Sequence, residues 1–179
     1  MNYLSVVQKG IIASQNDRYP GIAPDVDLVA VRVFDDLGRG NLDWVEEALI
    51  WVDQHRNDFR YPITTVNLSL GTAHYGTAPP IWANLEEELR QLNEHGILVV
   101  AAAGNNFSIN AGAGLSYPAA SPYVLPVGSL DALGAMSDFS QRGARIIAAP
   151  GEAIVSSVPD HLFSRDQVHD DWATASGTS

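Results

Sequence analysis

Apolar residues fall in short runs that alternate with longer amphipathic stretches along this chain. Val26 to Phe34 is rich in β-branched residues and gives way to the turn cluster Asp35-Asp36-Leu37-Gly38, which predicts a buried strand. Asn41 then offers an N-cap. Leu42, Val45, Leu49 and Val52 recur at helical spacing, so a helix is predicted to about Asp58, with Glu46 and Glu47 in its N-terminal half. Ile63 to Leu70 predicts a second strand, closed by Gly71 and followed by a loop with Gly76, Pro79 and Pro80. Leu85, Leu89 and Leu92 mark one face of a predicted helix from about Ile81 to His95, with Gly96 at its end. Ile97 to Ala103 is a continuous apolar strand.

This order makes two strand-helix-strand crossovers. Crossovers of that kind imply a parallel sheet with helices on its faces, a three-layer α/β architecture, and buried parallel strands read as near-continuous apolar runs. The second half differs. Asn106 to Ala120 is rich in Gly, Ala, Ser and Asn and reads as a loop. Short strands are predicted at about Val124 to Leu130, Arg145 to Ala148 and Ile154 to Val158. Near the start, Val6, Val7, Gly10, Ile11 and Ala13 suggest a helix with one small-residue face. Neither a repeat nor a linker interrupts the chain, so residues 1–179 are read as one domain.

Composition narrows the function. The 179 residues carry 46% hydrophobic and 17% charged side chains, the balance of a globular protein with a real core. A net charge of −11 argues against nucleic acid or an anionic membrane as partner, since both require clustered Lys and Arg. The absence of cysteine excludes a disulfide, a thiolate metal site and a cysteine nucleophile. The apolar runs all fall short of the ~18 residues that span a bilayer, and the first nine residues lack the order of a signal peptide.

Several short motifs carry chemistry. They are Gly21-Ile22-Ala23-Pro24-Asp25, Val66-Asn67-Leu68-Ser69-Leu70-Gly71, Ala101-Ala102-Ala103-Gly104-Asn105, Tyr117-Pro118-Ala119-Ala120, Val127-Gly128-Ser129, Phe139-Ser140, Ala149-Pro150-Gly151 and Gly177-Thr178-Ser179. Each is weak alone. In this order and spacing, from about Gly10 to Ser179, they resemble the subtilisin-like serine proteases.

The resemblance implies Ser179 as nucleophile. It implies Asn105, with the Ser179 backbone N–H, as donors to the oxyanion of an acyl-transfer transition state, where preorganised donors act most strongly. It implies that Ser69, Leu70 and Gly71 face Ala101, Ala102, Ala103 and Gly104 across the pocket for the substrate residue before the cut bond. Ser116 and the stretch to Ala119 would close its floor. An extended polypeptide substrate would pair with Ser69 to Gly71 as an added strand. The uncharged lining implies a preference for large apolar side chains. No cofactor is implied beyond a structural cation that some relatives hold on carbonyls around Ala119, Ser121 and Val124. An extracellular location is the family's usual one.

The chain also departs from the pattern. Gly10-Ile11-Ile12-Ala13 fits the helix that follows the family's catalytic histidine, which puts Leu4 at the histidine position and Ser5-Val6 in place of Gly-Thr. The strand bearing the catalytic Asp would precede Met1, and the helix opened by the nucleophile would follow Ser179. An incomplete, inactive domain is therefore expected, one that a complementing protein segment could restore. Without the Asp-bearing strand, the strands at Val26 to Phe34 and Ile63 to Leu70 are expected to close up or to carry unpaired groups. Each such buried group costs ~1–3 kcal/mol, against a domain stability of ~5–15 kcal/mol.

The remaining candidates read as structural. His55, His161 and His169 read as surface residues and His95 as a helix C-terminal cation, while His74 lies near the presumed cleft. Trp44, Trp51, Trp82 and Trp172 read as packing residues, Glu86-Glu87-Glu88 as an exposed helix face and Asp170-Asp171 as a solvated turn. No metal site is expected. Taken alone, Gly104-Asn105 equally suits a left-handed turn. Two other functions stand beside the peptidase. One is a non-catalytic peptide-binding module, which Leu4 favours. The other is a doubly wound nucleotide-binding domain, which Asp35 and Asp36 disfavour because they would repel phosphate.

Overall fold

The computed structural model describes residues 9–110, 112–158 and 172–179. They fall in two compact units, Met1–Gly40 with Ala153–Ser176 and Asn41–Glu152 with Gly177–Ser179. The larger unit holds helix α1 (Leu42–Gln54), strand β1 (Thr65–Leu68), helix α2 (Glu86–Glu94) and strands β2 (Leu98–Ala102), β3 (Val124–Leu130) and β4 (Ile147–Pro150). The four strands form one parallel sheet in the order β1-β2-β3-β4. This is the α/β architecture that the crossover pattern predicts. In the other unit, β5 (Ile154–Ser157) pairs antiparallel with β6 (Trp172–Ala175), and the Tyr19 ring packs 4.9 Å from that of Trp172. No helix among the described residues is long and apolar enough to cross a membrane.

Helix α1 begins where the sequence places it. The Asn41 side chain accepts from the Trp44 backbone N–H at 2.9 Å, satisfying one of the orphan donors of a helix start. It stops at Gln54 rather than Asp58. The His55 ring stacks on Trp51, and both its backbone N–H and its Nδ1 reach the Trp51 carbonyl, closing the last turn. Helix α2 starts later than its leucine spacing suggests. Residues 80–83 turn on themselves, with Ala83 N–H donating to Pro80, and Ile81 is fully exposed. Its true start is set from inside, where the Leu85 N–H donates to the buried Tyr117 hydroxyl at 3.1 Å.

Leu85, Leu89 and Leu92 are wholly buried and pack, with Val45, Leu49 and Val52 of α1, into the core beside Val99 and Ala101 of β2. Each buried side chain of this size stabilises the fold by about 1.5–3 kcal/mol. The acidic run at the start of α2 is not one exposed face. Glu87 is exposed and paired with Arg90, but Glu86 and Glu88 are half-buried, and Glu86 accepts from the Ser121 hydroxyl at 3.1 Å. The buried Tyr117 ring lies close to both carboxylates.

Residues 26–34 do not form the strand that their β-branched composition predicts. Val26, Leu28, Val29 and Val31 are 41–46% exposed. A strand exists only as one side of a ladder, and composition alone supplies no partner. Strand β1 is correspondingly an edge of the sheet, with β2 on one side only. The predicted helix at Val6 and Val7 lies mostly outside the described residues, although residues 9–13 are helical.

Candidate active site

The parallel register aligns the ends of two strands. Leu68 of β1 pairs with Ala101 of β2. Ser69-Leu70-Gly71 and Ala103-Gly104-Asn105 therefore leave the sheet at the same carboxyl edge, the usual place for ligands in open α/β sheets.

Ser116 lies between these two segments. Its backbone N–H donates to the Ala103 carbonyl at 2.9 Å, while its hydroxyl donates to the Thr72 carbonyl at 3.2 Å. Thr72 N–H in turn donates to Tyr117 at 2.9 Å. Both flanking glycines sit in close quarters, Gly104 the more so. A Cβ on Gly71 would lie 3.0 Å from Ser116 Cβ, and one on Gly104 would lie 2.5 Å from Ser116 Oγ and 2.9 Å from Gln141 Cγ. Gly104 also has φ +111, a conformation that side-chain-bearing residues rarely adopt. Ser69, Leu70, Gly71, Ala101, Ala102, Ala103, Gly104 and Ser116 thus belong to one neighbourhood.

Asn105 is exposed at the mouth of this neighbourhood, and Thr178 fixes its amide. Thr178 donates to Asn105 Oδ1 twice, from its backbone N–H and from its hydroxyl, each at 2.9 Å. A backbone N–H can only donate, so the atom facing it must be the oxygen, and the Asn105 NH₂ group must face away. The Thr178 hydroxyl also accepts from Gly104 N–H at 3.1 Å. Gly177 N–H donates to the Gly151 carbonyl at 2.9 Å, which anchors the 177–179 segment beyond the end of β4.

The amide and the serine converge. An ideal Cβ built on Gly177 would lie 3.4 Å from Asn105 Nδ2 and 3.8 Å from the Ser179 nitrogen, so both donors lie within 4 Å of one point. Ser179 itself is exposed.

The sequence assigns no role to two residues here. Thr178 is only 7% exposed and ties Asn105 to the 177–179 segment. Gln141 is 1% exposed, and its backbone N–H donates to the Gly104 carbonyl at 2.9 Å. The Gly-Thr-Ser triplet was the available signal for Thr178, whereas Gln141 follows Phe139-Ser140 with no sequence signal of its own.

The three described histidines are engaged elsewhere. His55 contacts the Trp51 carbonyl, His74 the Ala78 carbonyl at 2.9 Å, and His95 the Asp53 carboxylate at 2.6 Å. None is bonded to Ser179. Leu4, His161, His169, Asp170 and Asp171 lie outside the described residues. Among the described residues no group of three or more His, Asp or Glu side chains is placed to hold a metal ion. Trp82 is not a core residue. It is 51% exposed, resting edge-on against Tyr117 and His74. A surface cavity of about 550 Å³ lies between Pro79 to Asn84, the start of α2 and Pro122-Tyr123, and it shares no residue with the Asn105 neighbourhood.

Known proteins resemble this chain in sequence and in fold. Residues 9–179 match the model of the subtilase family. The chain is 31% identical over 157 residues to Subtilisin E of Bacillus subtilis (strain 168), covering 86% of this chain and 38% of that protein. It is 33% identical over 159 residues to the alkaline protease of Alkalihalobacillus alcalophilus, covering 87% of this chain and 37% of the relative. The chain thus spans well under half the length of these relatives. Among solved structures, the prenylagaramide maturation protease PagA superposes with a TM-score of 0.73 at 29% identity, covering 94% of this chain and 55% of that one. The self-cleaved protease domain of PatA gives 0.72 at 30% identity, covering 94% and 58%. On the match over residues 9–179 and the shared fold, the chain belongs to the subtilase family of serine peptidases.

Proposed function

We propose that this chain carries the nucleophile and oxyanion half of a serine endopeptidase site and depends on groups beyond its described residues for the base. The observation that carries the reading is the convergence of Asn105 Nδ2 and the Ser179 nitrogen within 4 Å of one point, with Asn105 Oδ1 already held by Thr178.

A carbonyl oxygen lodged between these two nitrogens would receive their N–H groups as negative charge develops on it. Ser179 Oγ would attack the carbonyl carbon of a polypeptide, and its proton would pass to a histidine, as acyl transfer of this type requires. The substrate residue before the cut bond would enter between Ser69 to Gly71 and Ala101 to Gly104, above Ser116. The lining there is uncharged, which supports a preference for large apolar side chains. The extended substrate would pair with the backbone of Ser69 to Gly71.

The described histidines all have partners away from Ser179, and Leu4 stands at the histidine position of the family's pattern. The 179 residues alone are therefore proposed to be inactive, and activity would come from a complementing segment that supplies His and Asp. Leu4 also favours a second reading, a non-catalytic peptide-binding module with the same cleft.

Fluorophosphonate labelling separates the two. The protein expressed from its complete reading frame should become labelled on Ser179, and Ser179→Ala should abolish the label. Asn105→Ala should slow labelling by about 10²–10³-fold, the scale known for one oxyanion donor in subtilisin itself, a relative in this family. A folded protein that resists labelling would sink the peptidase reading and leave the binding module.

A further inference from the structure

Ser121 to Val124 links the turn after Ser116 to the start of β3. Ala120 N–H donates to Ser116 and Ser121 N–H to Pro118, so this link is continuous with the segment bearing Ser116. Three of its carbonyls share one donor side chain. The family resemblance implies a structural cation on carbonyls of this loop in some relatives, and here a side chain reaches them. The Arg145 guanidinium donates from Nη2 to the Ser121 carbonyl at 2.8 Å and from Nη1 to those of Val124 at 3.1 Å and Pro122 at 3.5 Å.

We propose that Arg145 serves as the permanent cation of this loop, so that the carbonyl cluster takes no metal ion. A guanidinium carries a fixed positive charge and donates in a rigid planar fork, which suits several carbonyls at once. A metal ion on the same oxygens would face that charge at close range, and like charges at such separations repel strongly. The fork ties the segment just before β4 to the one just before β3, two strands that pair in the sheet. This inference stands apart from the peptidase reading and survives its failure.

Thermal unfolding tests it, with the wild-type chain and Arg145→Ala each melted in calcium chloride, potassium chloride and choline chloride at matched ionic strength. The wild type should melt at the same temperature in all three. Arg145→Ala should melt about 3–12 °C lower in choline, the scale of one lost charge-assisted contact in a chain of this length. It should recover in calcium or potassium, and Arg145→Lys should remain insensitive to the salt. Where melting is not cooperative, the rate of proteolytic cleavage between Ser121 and Val124 gives the same comparison. A wild-type gain in calcium or potassium equal to the variant's overturns the proposal. So does a variant that neither cation restores.

Discussion

Gly104→Ala probes the geometry on which the site rests, and the structure sets its cost. Two penalties combine. The backbone at Gly104 has φ +111, and holding a side-chain-bearing residue there costs about 1–3 kcal/mol. The added methyl would also lie 2.5 Å from Ser116 Oγ and 2.9 Å from Gln141 Cγ, distances that force a shift in a packed region. Ser116 is 6% and Gln141 1% exposed, so neither can swing into solvent. Overpacking of this kind costs about 1–3 kcal/mol. The sum, about 2–6 kcal/mol, corresponds to a fall in melting temperature of about 4–24 °C for a chain of this length.

A double-mutant cycle with Ser116→Gly separates the two parts. Ser116→Gly alone should cost about 1 kcal/mol for its bond to the Thr72 carbonyl. In the double variant the nearest obstacle is gone while Gln141 Cγ remains, so part of the ~1–3 kcal/mol of overpacking should return while the backbone strain persists. Urea unfolding of the four proteins, followed by circular dichroism, measures the coupling. If Gly104→Ala melts within about 2 °C of the wild type, or if the two changes add to within about 0.5 kcal/mol, the packing of Gly104 against Ser116 described here is wrong.

Three further outcomes follow from named contacts. Thr178→Val removes the hydroxyl that accepts from Gly104 N–H, so hydrogen exchange at that amide should quicken by about 5- to 150-fold, equivalent to ~1–3 kcal/mol; unchanged protection would mean the contact is not formed in solution. Hydrogen bonds from Arg90 and Gln91 hold the Glu87 carboxyl down to about 2, below its ordinary 4.5. Its stabilising contribution is therefore complete above pH 4.5 and lost as pH falls toward 2, and Glu87→Gln should flatten that part of an acid unfolding curve. Burial pushes the Tyr117 phenol upward, opposed by the Leu85 N–H and reinforced by the nearby Glu86 charge. Its contribution should be intact below pH 10 and fade as pH rises beyond it, and Tyr117→Phe should melt with a weaker alkaline dependence.

The larger unit was legible because its signals are local and repeated. The Asn41 cap, the leucines at positions 85, 89 and 92, and the apolar run before Gly104 each declare an element without knowledge of its neighbours. The close packing around Ser116 was legible for a different reason. Small residues such as Gly71 and Gly104 are demanded by backbone approaching Ser116, so they mark the site in sequence before any contact is known. Features set by partners were hidden. Residues 26–34 have strand composition, but pairing is a property of two segments. Strand β6, Trp172–Ala175, was missed because four residues carry too little periodicity to announce pairing with β5. The late start of α2 depends on the Tyr117 hydroxyl, 32 positions away. Glu86 and Glu88 read as solvated charge, because nothing in the helix itself says that Tyr117 and Ser121 lie beneath it.

The central claim is that Asn105 Nδ2 and Ser179 address one reacting atom. A crystal structure of the protein phosphonylated on Ser179 tests it most directly. The account predicts a phosphoryl oxygen about 2.7–3.1 Å from Asn105 Nδ2, with Thr178 still bonded to Oδ1. An adduct whose oxygens all turn away from Asn105, or an amide flipped to free itself from Thr178, would contradict it.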